Sequence, residues 1–256
     1  MRRIRVIPVL LIKDGGLVKS VKFKNHKYVG DPINAVRIFN EKEVDELIVL
    51  DISATQNKLP PNIQQISEIA GEAFMPLGYG GGITSIDQVK RILYQGVEKV
   101  IFNYSAYNNK ELIREAARQF GSSSVVVSMD VKKNWLGRYR VYLKNGTKDT
   151  GADPVKYAKE MEELGAGEIF LNSINKDGTF EGYDLDLIKS ISHEVNVPLI
   201  VCGGASDLKD FSLAVSNGGA SAVAAGSMFV FQRPHRAVLI SYPTQTELMS
   251  QVYKNL

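Results

Sequence analysis

The chain has 256 residues, 44% hydrophobic and 23% charged, with 31 Lys and Arg against 28 Asp and Glu for a net charge of +3. This is not the composition of a disordered, collagen-like or disulfide-framed protein. A balance so mild also argues against nucleic acid as the main partner, while leaving room for a local basic site that takes an anion. The single cysteine, Cys202, excludes an internal disulfide and a multi-cysteine metal site. His26, His193 and His235 are scattered, so no zinc constellation is readable and neither metal nor cofactor is expected. No apolar run reaches membrane-spanning length, and the start, Met1-Arg2-Arg3, lacks a signal-peptide pattern. A cytosolic protein is the expectation.

Along the chain, strand-like runs rich in Val, Ile and Leu fall at Ile4–Ile12, Glu46–Asp51, Phe74–Tyr79, Lys99–Asn103, Ser123–Asp130, Glu168–Asn172, Pro198–Cys202 and Ala220–Ala225. Helical patterns lie between them, at Pro32–Phe39, Pro61–Ala70, Ile86–Tyr94, Lys110–Phe120, Pro154–Leu164, Leu185–Glu194 and Leu208–Ser216. Continuous apolar strands joined by helices mean a parallel sheet covered on both faces, and eight of them favour a closed (β/α)₈ TIM barrel over an open sheet. The halves repeat. Asp31-Pro32 recurs as Asp153-Pro154, Glu46-Leu47-Ile48 as Glu168-Ile169-Phe170, Pro76-Leu77 as Pro198-Leu199, and Gly81-Gly82 as Gly203-Gly204, each pair 122 positions apart. The reading is two fused half-barrels in one domain spanning 1–256. A hairpin insertion is expected near 138–150, where Asn145-Gly146 signals a turn.

In a parallel barrel the ligand face is the C-terminal end of the strands. Gly80-Gly81-Gly82 and Gly203-Gly204 fall there, each ahead of a helix capped by Ser85 or by Ser206-Asp207. Glycine lets backbone approach a ligand closely, and free N–H groups at a helix start attract an anion. Asn103 stands beside the first turn and Gly226-Ser227 beside the second. Two symmetric cradles imply a long ligand with a phosphate at each end; for one turn alone, a plain strand-to-helix connection is as good a reading. Asp51 and Asp130 end the second and fifth strands, where a carboxylate serves either as acid or base or as a cap for loop N–H groups. Asp177-Gly178-Thr179 reads as a ligand loop or a simple turn. By the internal symmetry Asp130-Val131-Lys132 matches Leu11-Ile12-Lys13. The position facing Asp130 is therefore leucine, which transfers no proton.

Arg5, Glu46, Lys99 and Glu168 begin the first, second, fourth and sixth strands, at the opposite rim. Two acids and two bases there form a ring of ion pairs, either a stability plug or a gate into a central passage. Physics alone favours the plug. Cys202 has no histidine in reach of a nucleophile's needs and reads as a small buried or mouth-lining thiol. Trp135, Tyr139 and Tyr142 read as cover for the mouth or a partner contact. Lys19, Lys22, Lys24 and Lys27 lie on a loop, Gly15–Gly30, expected to be mobile and to close over ligand.

The residues Lys13-Asp14-Gly15, Lys19, Gly30-Asp31-Pro32, Asp45-Glu46-Leu47, Leu50-Asp51-Ile52, Gly80-Gly81-Gly82-Ile83, Asn103, Asp130, Gly165-Ala166-Gly167-Glu168-Ile169, Asp177-Gly178-Thr179 and Gly203-Gly204-Ala205 give the chain a resemblance to a known family. It resembles the cyclase subunit of imidazole glycerol phosphate synthase from Ile4 to about Phe229. The resemblance implies a barrel that binds a bis-phosphorylated ribonucleotide, with Lys19 over the substrate and Asn172 and the two glycine cradles around it. It further implies ammonia delivered by a glutaminase subunit docked on the N-terminal rim. Arg5, Glu46, Lys99 and Glu168 match the family's gate, which reverses the preference for a plug. The departures are Leu11 in place of one of two catalytic aspartates, Asn172 in place of a hydroxyl residue, Cys202 in place of a serine, and the tail from Arg233-Pro234-His235-Arg236 through Tyr242-Pro243. A retained ammonia entrance with a damaged proton-transfer site, together with Phe23, Tyr28 and Val29, resembles the divergent second copies associated with amidination of N-acetyl sugars in surface polysaccharides. There an amidotransferase partner uses the ammonia. The alternatives are an authentic cyclase that tolerates Leu11 and a non-catalytic phosphate-binding module.

Overall fold

The computed structural model describes residues 3–232 and 234–256; Met1 and Arg2 at the start and Arg233 in the tail lie outside the described residues. Eight parallel strands form the core: β1 (Arg5–Lys13), β2 (Leu47–Asp51), β3 (Leu77–Gly80), β4 (Lys99–Phe102), β5 (Val125–Lys133), β6 (Glu168–Ser173), β7 (Leu199–Cys202) and β8 (Ala222–Ala225). Each pairs with the next, and β8 pairs with β1 from Arg5↔Ala222 to Pro8↔Ala225, which closes the (β/α)₈ barrel.

Alternation along the strands builds two apolar layers. Val6, Leu10 and Ile12 of β1 point outward and pack with the helices, whereas Ile7 and Val9 point inward with Ile48, Ile101, Val126, Phe170, Ile200, Ala222 and Ala224. The inner set fills the barrel with side chains, and Leu11 and Leu50 close its upper end. Strand-to-helix connections carry the expected chemistry. Asp31 and Asp153 each cap a helix that starts with proline at Pro32 and Pro154, and Ser85 and Asp207 each complete a capping box.

Several boundaries differ from the sequence reading. The third strand begins at Leu77 rather than Phe74, since the ladder starts only where Leu47 and Leu77 come into register. The helix expected from Pro61 begins at Ile63, because Asn62 supplies the cap by accepting from Gln65 N. The hairpin expected near 138–150 is present, Tyr142 and Leu143 pairing with Asp149 and Lys148, but the insertion is longer than that. β5 does not stop at Asp130 but runs on to Lys133 and pairs antiparallel with Tyr139–Leu143, from Asp130↔Tyr142 to Lys133↔Tyr139. The hairpin thus grows directly out of a barrel strand and turns at 134–138. Asn145-Gly146 serves a second, shorter turn into Lys148–Asp149. The segment Gly15–Gly30 is likewise a hairpin. Gly16–Val21 pairs with the end of β1 and with Lys24–Gly30.

The tail supplies the last helical cover. Gln245–Asn255 winds through α, π and 3₁₀ turns. Tyr242 Oη donates to Val6 O at 2.9 Å and Tyr253 Oη to Ile4 O at 3.2 Å, tying this segment to β1.

Candidate functional site

At the N-terminal end, four charges close the barrel floor. Arg5 Nη1 donates to Glu46 Oε2 at 2.5 Å and Nη2 to Glu168 Oε1 at 2.7 Å. Lys99 Nζ sits between the acids, 3.0 Å from each Glu46 oxygen and 3.0 Å from Glu168 Oε2. Glu46 is only 2% exposed, and these ion pairs offset the cost of taking it out of water. Burial would lower the Arg5 guanidinium's pKa, but Glu46 and Glu168 outweigh it and hold the group charged. The four residues sequence reasoning grouped at this rim are brought together, and directly above them begins the apolar interior of Ile7, Ile48, Val126 and Phe170.

At the C-terminal end the barrel opens into a cavity of about 460 Å³. Its walls include Leu11, Lys19, Asp51, Gly81, Gly82, Asn103, Asp130, Asn172, Asp177, Cys202 and Gly226. Gly178, Gly203, Gly204 and Ser227 line an adjoining recess of about 20 Å³ that shares Asp177, Cys202 and Gly226 with it. The glycines are required by the geometry of the turns. A Cβ on Gly81 would stand 2.5 Å from Asp51 O, and one on Gly204 would stand 2.2 Å from Gly182 O.

Asp130 is the half-buried acid of the mouth. Burial pushes its carboxyl up to about 7, assisted by the nearby Asp177 charge and opposed by the 3.1 Å hydrogen bond it accepts from Asn103 Nδ2. Leu11 lines the same cavity and supplies no second carboxylate. Asp51 takes the structural alternative: its Oδ1 accepts from Ser53 N at 2.8 Å, Ser53 Oγ at 2.8 Å and Ala54 N at 3.0 Å, which fixes the turn after β2. Asp177 does similar work between elements, accepting from Ser20 Oγ at 2.9 Å and Phe23 N at 3.4 Å, and so pins the first hairpin to the loop after β6.

Lys19 reaches inward from that hairpin. Its Nζ donates to Val9 O at 2.6 Å and lies over Gly226, where a Cβ would come within 2.0 Å of it. Burial lowers the Lys19 pKa, and Asp177 and Cys202 oppose that shift. Burial raises the Cys202 thiol to about 12, the level of an inert side chain. Asn172 Oδ1 is buried without a hydrogen-bond partner at the edge of the mouth, a costly position. Sequence reasoning missed Lys58, Thr84, Ser128 and Lys144 in this wall. Lys58 and Lys144 hold left-handed backbone at φ 55° and 52°, and neither lies in a motif that would have signalled it.

Trp135, on the tip of the β5 hairpin, is 90% exposed and covers nothing. Tyr139 and Tyr142 are tied down locally, donating to Asp184 at 2.7 Å and Asp149 at 3.1 Å. No helix among the described residues is long and apolar enough to cross a membrane.

A barrel with a charged floor, an apolar interior and a glycine-lined mouth is matched by known proteins over almost its whole length. A family described as "Histidine biosynthesis protein" matches residues 5–234. A Pseudomonas aeruginosa protein, provisionally named imidazole glycerol phosphate synthase subunit hisF2, is 54% identical over 97% of this chain and 99% of its own length. A Leptospira interrogans protein with the provisional name imidazole glycerol phosphate synthase subunit HisF is 49% identical over 99% of this chain and 100% of its own. The imidazole glycerol phosphate synthase subunit HisF of Alkaliphilus metalliredigens is 42% identical over 88% of this chain and 89% of its own. The chain belongs to the imidazole glycerol phosphate synthase cyclase-subunit family. Members of this HisF-like family include second copies such as the Pseudomonas protein and a hisF3 of Vibrio vulnificus, the latter 48% identical over 96% of this chain and 95% of its own.

Proposed function

We propose that this HisF-like subunit conveys ammonia from a partner glutaminase to an acceptor enzyme that amidinates an N-acetyl sugar for surface polysaccharide, and that it has lost efficient cyclase turnover. The observation that carries this reading is the pairing of an intact entrance with a one-sided mouth. Arg5, Glu46, Lys99 and Glu168 form the closed ring, while Leu11 faces the cavity where a second carboxylate would be needed beside Asp130. Ammonia is small and, when unprotonated, neutral, so an apolar bore lets it pass and keeps ions and bulk water out. Parting the Lys99 contacts would open the floor.

The glutaminase docks on the N-terminal rim around this ring. Phe74, just before β3, and Tyr94, at the C-terminal end of the helix Ile86–Leu93, stand at that rim 85% and 75% exposed, the kind of aromatic anchors interfaces use. The relatives' names as synthase subunits support such a partner. Asp130, Asn103, Asn172, Lys19 and the glycine cradles remain as a ligand site for a phosphorylated small molecule.

The test is turnover of the family's ribonucleotide with excess ammonium salt at mildly alkaline pH. It is run beside a reconstitution with glutaminase, acceptor enzyme and glutamine. Ribonucleotide turnover at the background level, with glutamine-dependent amidination that needs this barrel, is the expected result. Brisk formation of imidazole glycerol phosphate and its aminoimidazole carboxamide ribotide co-product would overturn it and place the protein among authentic cyclases.

A further inference from the structure

The hairpin that grows out of β5 is one-sided in charge. Residues 131–148 hold six of the chain's 31 Lys and Arg and none of its 28 Asp and Glu, so the rest of the chain is slightly net negative. Among the described residues none of the six (Lys132, Lys133, Arg138, Arg140, Lys144 and Lys148) forms an ion pair. Lys132, Lys133 and Lys144 instead lie over the rings of Tyr142, Tyr139 and Tyr104, 5.3, 4.8 and 5.9 Å from the centroids, which leaves their charges uncancelled. The register adds a cost. Lys132 stands directly opposite Arg140, a like-charge cross-strand pair, and both are half-buried. Alternation puts this pair on the hairpin face that carries Asp130, in the wall of the mouth.

At its tip the same hairpin presents two apolar side chains to water, Trp135 at 90% exposure and Leu136 at 55%. The turn that holds them is closed by hydrogen bonds. Asn134 N donates to Arg138 O at 2.9 Å and Gly137 N to Asn134 O at 3.0 Å, while Asn134 Oδ1 accepts from Leu136 N and Arg138 N, each at 3.0 Å. Below the tip, Lys133 N donates to Asn175 Oδ1 at 2.9 Å and Tyr139 Oη to Asp184 Oδ1 at 2.7 Å, bracing the hairpin against the segment after β6. The tryptophan is thus held out on a built frame, and an anchor already in place loses little entropy on binding.

We propose that this hairpin docks the enzyme that uses the ammonia, through an acidic surface with an apolar pocket for Trp135. Charge complementarity sets the sign of that surface. An acidic partner relieves the Lys132–Arg140 repulsion and pairs cations that the fold leaves without acids. Position selects the partner. The cationic face runs from the tip down to Lys144 in the cavity wall, so whatever covers it also covers the mouth. A bilayer offers negative charge too, but pressed on this face it would shut the mouth against the acceptor. The inference rests on the ammonia-conveying reading above. Docking and amidination are measured separately, so either can fail alone.

Trp135 is the chain's sole tryptophan, so 5-fluorotryptophan gives one ¹⁹F resonance that reports the tip alone. The full chain, in complex with its glutaminase, is titrated with the acceptor, an N-acetyl sugar amidotransferase, and separately with phosphatidylserine vesicles. The resonance should move with the acceptor and stay fixed with vesicles. Trp135→Ala should weaken acceptor affinity about 30-fold or more, the size of a hot-spot loss. The paired reversal Lys132→Glu with Arg140→Glu should weaken it as well. Glutaminase affinity and acceptor turnover on added ammonium should stay unchanged in both variants. No acceptor binding, or an affinity that either variant leaves unaltered, would overturn the proposal. So would a tip that answers to vesicles alone, or Trp135-dependent self-association in light scattering. Barrel-dependent amidination that ignores Trp135 would sink the docking and leave ammonia conveyance standing; Trp135-dependent docking without amidination would do the reverse.

Discussion

Asn103 Nδ2 donates to Asp130 Oδ2 across 3.1 Å, while Asn103 also holds Ser128 O at 3.2 Å. The Asp130 carboxyl is therefore oriented by an amide that can neither accept nor supply a proton on demand. The far wall presents Leu11, so the first strand offers no carboxylate to face Asp130.

Leu11→Asp should restore the second carboxylate. Leu11 is half-buried at the end of the inner layer, so a polar side chain is tolerated there. A positioned acid–base group contributes roughly 10²–10⁴-fold. Ammonium-dependent ribonucleotide turnover should rise by about 10²-fold or more, measured as product absorbance under saturating ammonium. An unchanged rate would show that Leu11 is not the defect.

Asp130 makes stability depend on pH. Its folded pKa, pushed up to about 7 by burial, lies above the 3.8 of the free side chain, so the folded state holds the proton more tightly. The stabilisation is complete below about pH 4 and is lost as pH rises through 7. Asp130→Asn removes that loss. Urea midpoints should favour the variant, relative to the parent, at pH 8 over pH 4 by a few kcal/mol, at about 1.4 per pKa unit. Equal pH dependence in both proteins would contradict the burial.

Lys99→Met should open the floor. It leaves Glu46 and Glu168 sharing Arg5 alone, and breaking one member out of a buried ion network costs about 3–5 kcal/mol. The variant should also uncouple the complex. Glutamine hydrolysis continues, while the fraction of nitrogen reaching the acceptor falls, read as the ratio of glutamate formed to product amidinated. A lower midpoint with an unaltered ratio would mark the ring as a plug and nothing more.

Cys202 should resist thiol reagents. With its pKa near 12 and its side chain in the buried wall, the thiolate fraction at pH 8 is about one part in 10⁴. Ellman's reagent should label the native protein only over hours and the urea-unfolded protein at once. Rapid stoichiometric labelling of the native form would place the thiol in a more open mouth than described.

The sequence made the barrel legible because its signals were periodic and duplicated. Asp31-Pro32 and Asp153-Pro154 mark equivalent helix starts, and the inner and outer faces of β1 separate cleanly at Ile7 and Val9 against Val6 and Leu10. Lys24–Gly30 was not legible as a strand. Its residues are mostly polar and mostly exposed, so it carries no clear alternation and owes its form to pairing with Gly16–Val21. The charge ring could be grouped from strand starts alone, since four residues at the same height of a barrel must meet. Phe180 and Arg236 could not be joined that way. They lie in separate turns, and only the folded loops bring ring and guanidinium together.

The tyrosine clasps on β1 also bear on the order in which the molecule assembles. Tyr242 holds Val6 O across 236 positions, and Tyr253 holds Ile4 O across 249. At about 5–20 residues per second, a ribosome needs roughly 10–50 s to deliver those partners after the first strand has emerged. During that interval the β8-facing edge of β1 is an open template for stray pairing. The seam is therefore the last part of the wall to be sealed and the point at which a nascent chain most needs a chaperone's cover.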